Sequence, residues 1–283
     1  MVCKKLIAIS LFALLSLNVL AGNGTIDECT RAYNNNATVI ASKLLDLSDN
    51  NLLILNWITP FATETDLSGK GHNATYQGGI DAREVIGGSW VINFDGMSFD
   101  DLLIGDHNDF TFDDAGGPNG FTVGVWLKVD DTLFEKTILS KWDETSGSEL
   151  REWKLSFSED EIFTLSLYDE SADVQCFRYT DIAYTDFVLA IAVYDGTGGA
   201  NAADGITLYI NGKEVSSTAV NSASYAGMEN LSSSILIGAV DDLAGESKFM
   251  YGDMGLVFMT KDQLTADQIW NLYVSTKGYY TVD

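Results

Sequence analysis

Basic residues are scarce in this sequence. Sixteen lysines and arginines stand against 41 aspartates and glutamates, for a formal net charge of −25. A field of that sign repels nucleic acid and anionic membrane surfaces, so neither is an expected partner, and it favours divalent cations and solubility. Screening by salt makes an acidic surface tolerable, so adaptation to a saline medium explains the same charge without any specific role. Proline occurs twice and histidine twice, as His72 and His107. No apolar run approaches the ~20 residues of a membrane-spanning helix, so an integral membrane protein is not expected. A phosphate-binding glycine loop, a nucleophile elbow with its Ser-His-Asp set, and a zinc-spacing motif are all missing.

The longest apolar run, residues 6–17, follows Lys4 and Lys5 and ends in Val19-Leu20-Ala21 before Gly22. That is the layout of a cleaved secretory signal over 1–21, which predicts a secreted or cell-surface protein, or a periplasmic one in a Gram-negative host. No lipobox precedes Cys29, which argues against a lipoprotein. Of the three cysteines, Cys3 falls in the signal. Cys29 and Cys176 then form an even pair in an oxidising compartment, and a disulfide between them is the expectation, two thiols the alternative.

Residues 22–51 form a polar N-terminal lead whose stretch 37–47 has near-helical apolar spacing. From Leu52 the pattern changes to short strands separated by Gly, Asn and Asp turns. In "GFTVGVWLKVDD" Phe121, Val123, Val125, Leu127 and Val129 point one way, and Thr122, Gly124, Trp126 and Lys128 the other. "FVLAIAVYDG" is apolar on both faces and reads as a strand buried on both sides. In "DGITLYINGKEV" Asn211-Gly212 predicts a two-residue type I′ hairpin, because both residues tolerate positive φ. Further strands are predicted at 91–94, 138–141, 153–157, 163–168, 235–238 and 254–259. Near the end, Thr265 and Gln268 predict a capping box opening a short helix with Ile269, Trp270, Leu272 and Tyr273. Many short strands and one late helix predict an all-β antiparallel sandwich, a single domain over 52–283.

The blocks "TDLSGKGHNATYQGG", "VINFDG", "GFTVGVWLKVDD", "TILSKWDE", "AVYDG", "ITLYINGKEV", "ILIGA" and "YGDMGLVFMTKDQLTADQIWNLY" follow one another in order. This series resembles the laminin G-like jelly rolls of the concanavalin A-like lectin/glucanase superfamily, from about Leu52 to Tyr280. The resemblance implies two curved antiparallel sheets packed face to face. The family's usual tryptophan-histidine pair before "AVYDG" is absent here, where the stretch reads "YTDFVLAIAVYDG".

The stretch "ILIGAVDDLAGESKFMYGDMG" also resembles the pentraxin segment whose loop supplies calcium carboxylates. By position, Asp242 matches a ligand aspartate, Asp241 a carbonyl ligand, and Glu246 lies near a later ligand, while Val240 replaces a ligand glutamate. The loop "KWDETSGSE", with Asp143, Glu144 and Glu149, is expected on the same rim. Calcium takes six to eight oxygens, so two such loops suit it; a solvated acidic rim is the competing account. Asp66, Ser68 and Asn73, with Asp253 on a terminal strand, form a second calcium candidate, against which stands an ordinary Asx turn. Trp142, Tyr168, Phe177, Tyr179 and Tyr184 are either a sugar platform or packing. The seven aspartates between 95 and 114 lack EF-hand order.

Catalysis has little support. Retaining glycosidases need two carboxylates about 5 Å apart, and the superfamily's Glu-x-Asp-x-x-Glu is not found: Glu64-x-Asp66 runs into Gly69, and "SEDEIF" places Glu159, Asp160 and Glu161 at a strand's start. Nor is a lyase base with its arginine evident. The expected function is a non-catalytic binding module recognising a glycan or surface protein through rim loops, with calcium. The alternatives are a structural subunit of an extracellular assembly, homo-oligomeric through residues 22–51, and last a polysaccharide hydrolase or lyase.

Overall fold

Alternation in Phe121–Val129 sorts its side chains between two cores. Phe121, Val123, Val125, Leu127 and Val129 enter the larger core between the sheets. Trp126 enters a second core on the opposite face. Its neighbour Val188–Tyr194 is buried at every position, with Ala190, Ala192 and Tyr194 in the first core and Leu189, Ile191 and Val193 in the second. These central strands are apolar or small on both sides because both of their faces are covered. The glycine in "TVGVW" has a packing reason: a Cβ on Gly124 would lie 2.4 Å from the Phe258 ring and 2.7 Å from Ile191.

The structure is a computed structural model that describes residues 25–58, 62–78, 83–96, 100–112, 119–130, 134–145, 147–242 and 245–280, without the side chains of 25–31, 83, 242 and 245–247. The expected signal over 1–21 lies outside the described residues. Two antiparallel sheets form the sandwich. The first runs Lys213–Glu214, Ile206–Ile210, Val188–Tyr194, Phe121–Val129, Tyr251–Thr260, Ser89–Asp95 and Arg83–Ile86, with Asn51–Leu55 also paired to Tyr251–Thr260. The second runs Ser217–Val220, Val174–Thr180, Phe163–Asp169, Leu150–Phe157, Lys136–Asp143, Ile235–Ile237, Asp101–Ile104, Ala74–Gln77 and Thr63–Glu64. Neighbours in space that are distant in sequence make this a jelly roll rather than a meander. Every strand predicted from alternation is present, several a few residues longer. Asn211 (φ 52°) and Gly212 (φ 80°) close the predicted hairpin between Ile210 and Lys213.

Two helices cover the outer face of the first sheet. The C-terminal helix, Ala266–Thr276, has the predicted capping box, Thr265 and Gln268 each accepting from the other's backbone N–H. Its Ile269 and Leu272 are buried. The N-terminal helix runs Thr25–Leu45, longer than the 37–47 stretch that periodicity indicated. Its Ile40, Ala41 and Leu44 join the same core, so this part of the lead is packed on its own sandwich. No helix among the described residues is long and apolar enough to cross a membrane.

The expected Cys29–Cys176 disulfide is not formed among the described residues, and the Cys29 side chain lies outside them. Cys176 is fully buried in the core between the sheets, on Val174–Thr180 of the second sheet. The helix that contains Cys29 packs on the far side of the first sheet through Ile40, Ala41 and Leu44.

Candidate functional site

The rim loops do come together. Val240–Asp242 and Gly245–Ser247 form a hairpin, anchored by Val240, which is buried against Trp142 and Tyr168. Asp241 faces Glu246 across the hairpin and Asp143 across a parallel pairing. The Glu144 backbone N–H donates to the Asp241 carbonyl at 2.8 Å. The described carboxylates of the neighbouring loop already have partners. Glu144 accepts from Lys248 Nζ at 2.8 and 3.1 Å and from Trp142 Nε1 at 2.8 Å. Asp143 accepts the Thr145 N–H at 2.8 Å. Glu149 accepts the Gly147 N–H at 3.0 Å, and backbone N–H groups hold its carboxyl below the usual range. Asp241 is exposed, whereas the side chains of Asp242 and Glu246 lie outside the described residues.

The second set is divided. Asp66 sits in the Asx turn and takes five donors: the N–H groups of Ile54, Ser68, Gly71 and His72, and the Ser68 hydroxyl, at 2.7–3.1 Å. Asn73 closes the turn by accepting the Asp66 N–H at 2.9 Å. Asp253 instead accepts from Asn93 at 2.9 Å, and burial raises its carboxyl. Strand register places Ile54 opposite Phe258, five residues from Asp253, which is roughly 16 Å along an extended strand. Asp66 and Asn73 are therefore brought together, and Asp253 is not.

The other prominent surface is the outer face of the second sheet. Leu155, Phe157, Leu165, Leu167 and Cys176 fill the core, so alternation turns Lys154, Ser156, Thr164, Ser166, Phe177 and Tyr179 to the other face, where Lys154, Ser156 and Ser166 are buried and Thr164, Phe177 and Tyr179 half-buried. Pairing lines them in rows. One runs Leu236, Ser140, Lys154, Ser166, Phe177 and Val220; the next runs Thr137, Ser156, Thr164, Tyr179 and Thr218. Phe177 and Tyr179 are half-buried, with ring centroids 6.1 Å apart. Trp142 and Tyr168 lie at one end, buried edge-to-face at 5.1 Å. Lys154 stands 5.0 Å over Trp142 and Arg151 4.0 Å over Tyr168. Both cations hold carboxylates, Lys154 with Glu135 at 2.8 Å and Arg151 with Glu170 at 2.7 Å. Tyr184 belongs elsewhere, packed against the inner core. Of the five aromatics singled out from sequence, Phe177 and Tyr179 are thus half-buried near the edge of this face, whereas Trp142 and Tyr168 are engaged in packing. The hydroxyl rows escaped sequence reasoning, although the alternation in "FTLSLYD" and "KLSF" carried the signal.

At one edge of the core, a buried ion pair joins Lys141 and Glu152 at 2.6 Å, both side chains 0 % exposed. Asp106 lies 2.9 Å from the same ammonium. Burial pushes the Glu152 carboxyl up to about 7, against the pull of Lys141. A carboxyl raised on folding contributes stability that is fully present below its ordinary value of 4.5 and is lost as pH rises through about 7. Unfolding free energy of the wild type relative to Glu152→Gln is therefore expected to fall by roughly 2–3 kcal/mol between pH 4.5 and pH 8. Parallel pH curves for the two proteins would contradict this.

Two antiparallel sheets, the half-buried Phe177 and Tyr179 on the second, and the rim hairpin are the frame against which known proteins compare. The family model described as the concanavalin A-like lectin/glucanases superfamily, of laminin G-like type, matches residues 103–270. The chain belongs to this family. Comparison with curated proteins gives no match. Among solved structures, the fold is similar to the binding domain of Paraclostridial Mosquitocidal Protein 1, with TM-score 0.59 and 17% identity, covering 81% of this chain and 53% of that one. It is also similar to the binding domain of botulinum neurotoxin DC, solved with rat synaptotagmin II (0.56, 14%, 81% and 52%). A third is the botulinum neurotoxin type G receptor binding domain (0.55, 15%, 80% and 51%). At these identities the likeness is one of fold. This laminin G-like chain spans about half the length of each of those domains.

Proposed function

We propose that this laminin G-like chain is an exported, non-catalytic binding module that holds a neutral glycan on the outer face of its second sheet. The observation that carries this reading is the pair of half-buried rings, Phe177 and Tyr179, with the hydroxyls of half-buried Thr164 and exposed Thr218 on either side of Tyr179 in one row, while Ser140, Ser156 and Ser166 of the same rows are buried. Hydroxyls both donate and accept, which suits sugar hydroxyls, and aromatic faces stack on sugar C–H surfaces. The basic side chains of this face already hold Glu135 and Glu170, which leaves a charge-balanced surface and favours a neutral ligand over an anionic one. Glu135 and Glu170 are in turn held by bases, which fits binding better than acid–base chemistry. The rim hairpin borders Trp142 and Tyr168, and calcium held by Asp241, Asp242 and Glu246 with Asp143 would brace it.

The test is retention on columns of neutral polysaccharides, in calcium and in chelator. Tyr179→Ala and Phe177→Ala are each expected to weaken retention on the selected polymer about tenfold, equivalent to about 1.4 kcal/mol. Asp242→Ala is expected to match the effect of chelator. Wild-type retention that neither aromatic substitution changes would remove this face from consideration.

A further inference from the structure

The two histidines of the whole sequence, 35 positions apart, meet at one carboxylate. His72 Nε2 lies 3.0 Å from Asp109 Oδ2, and His107 Nδ1 lies 3.5 Å from the same oxygen. The two imidazole rings are 4.6 Å apart at their centroids. One ligand atom from each of the three residues falls within 4.8 Å of the others, close enough to surround a single ion.

Both supporting loops are pinned. His72 follows the turn organised by Asp66, which accepts the His72 backbone N–H at 3.0 Å. The ring of His72 is 8 % exposed and packs edge-on to Phe110 at 4.7 Å. On the other side, His107 caps the short helical turn Asn108–Phe110, whose Phe110 is fully buried in the core. Asp109 divides its oxygens: Oδ2 faces the histidines, and Oδ1 faces Lys261 Nζ at 3.3 Å. Its carboxyl is desolvated, yet it is held below the usual range by hydrogen bonds from His72 and Lys261. Such a partner on the far oxygen orients a ligating carboxylate.

We propose that His72, His107 and Asp109 form a site for a first-row divalent transition metal, with water completing the coordination. Two imidazoles and one carboxylate suit Zn2+ or Fe2+ and leave positions open. Nitrogen donors select against calcium, a hard cation that takes oxygen ligands. On binding, the metal replaces the proton shared by His72 Nε2 and Asp109 Oδ2 and takes the His107 Nδ1 lone pair, which gives up the Asp109 backbone N–H it accepts at 3.1 Å; the His107 ring is 54 % exposed and so has room to turn. This site stands independently of the glycan reading, since none of its residues lies in the rows of the second sheet's outer face.

The experiment is calorimetric titration of the untagged, chelator-stripped protein with zinc chloride, in the presence and absence of millimolar calcium. One saturable Zn2+ per chain is expected, insensitive to calcium. His107→Ala is expected to weaken it at least about tenfold, as losing a ligand should exceed the effect of losing an outer-shell partner. Because His107 is exposed, this variant should fold, and an unchanged melting temperature in chelator checks that it does. No saturable zinc binding by the wild type, or equal affinity in His107→Ala, would overturn the proposal: the sequence has no other histidine, so zinc held by imidazole must use these two.

Discussion

Lys141→Met is expected to destabilise the protein by about 3–5 kcal/mol. The ammonium of Lys141 is wholly enclosed and satisfies Glu152 at 2.6 Å, Asp106 at 2.9 Å, and the carbonyls of Leu231 and Ser233 at 2.6 and 3.2 Å. Methionine keeps the length and apolar stem but leaves Glu152 enclosed without its counter-charge. Removing one partner of a buried pair costs more than the pair contributes, because the remaining charge is stranded in a low dielectric. The double variant Lys141→Met/Glu152→Leu should therefore recover much of the loss. Urea unfolding at pH 8, where Glu152 is ionised in the wild type, measures both. A single variant within about 0.5 kcal/mol of wild type, the range of an ordinary surface change, would show that the ammonium is not buried in solution.

Tyr280→Ala is expected to cost a similar amount, about 3–5 kcal/mol, through loss of a large buried ring. This tyrosine is fully buried near the end of the chain. Its ring stacks on Trp126 at 5.0 Å and on Phe187 at 5.8 Å. The hydroxyl donates to Asn56 Oδ1 at 2.7 Å and accepts the Leu256 N–H at 3.1 Å. It thereby ties the C-terminal segment to Asn56, just past the strand Asn51–Leu55, and to Leu256 on the strand Tyr251–Thr260. Tyr280→Phe keeps the stacking and orphans those two groups, and should cost about 1–3 kcal/mol. Thermal unfolding of the pair separates packing from hydrogen bonding. Equal effects would mean that the hydroxyl network dominates; a phenylalanine variant as stable as wild type would mean that Asn56 and Leu256 find other partners.

Local features of the fold were readable residue by residue. Strict alternation in Phe121–Val129, two-sided apolarity in Val188–Tyr194, the Asn211-Gly212 turn and the Thr265–Gln268 box all depend on neighbours within a few positions. Each is present as read. The ordered blocks extended that to a laminin G-like jelly roll, the family that matches residues 103–270. The N-terminal helix was only partly legible. Its apolar stripe is short, and Ile40, Ala41 and Leu44 find their partners on a sheet built from strands up to 220 residues away, Leu256 and Phe258 among them.

The sites divide along the same line. That Asp241 and Asp143 share a rim follows from the family's strand order, and the register places them opposite each other. What their neighbours do does not follow: Glu144 is engaged by Lys248, and Asp66 by four hydrogen bonds of its own turn and one from Ile54. Nor did spacing join His72 to His107, because no periodicity links two loops, and only the closing of the sandwich sets their rings against one carboxylate. Sequence by itself determined the strands, the turns, the caps and the acidic surface, since these arise from local sterics, alternation and composition. Tertiary structure decided which aromatics stay open, which charges are buried, and where imidazoles and carboxylates converge, because each depends on pairing between segments that no local pattern connects.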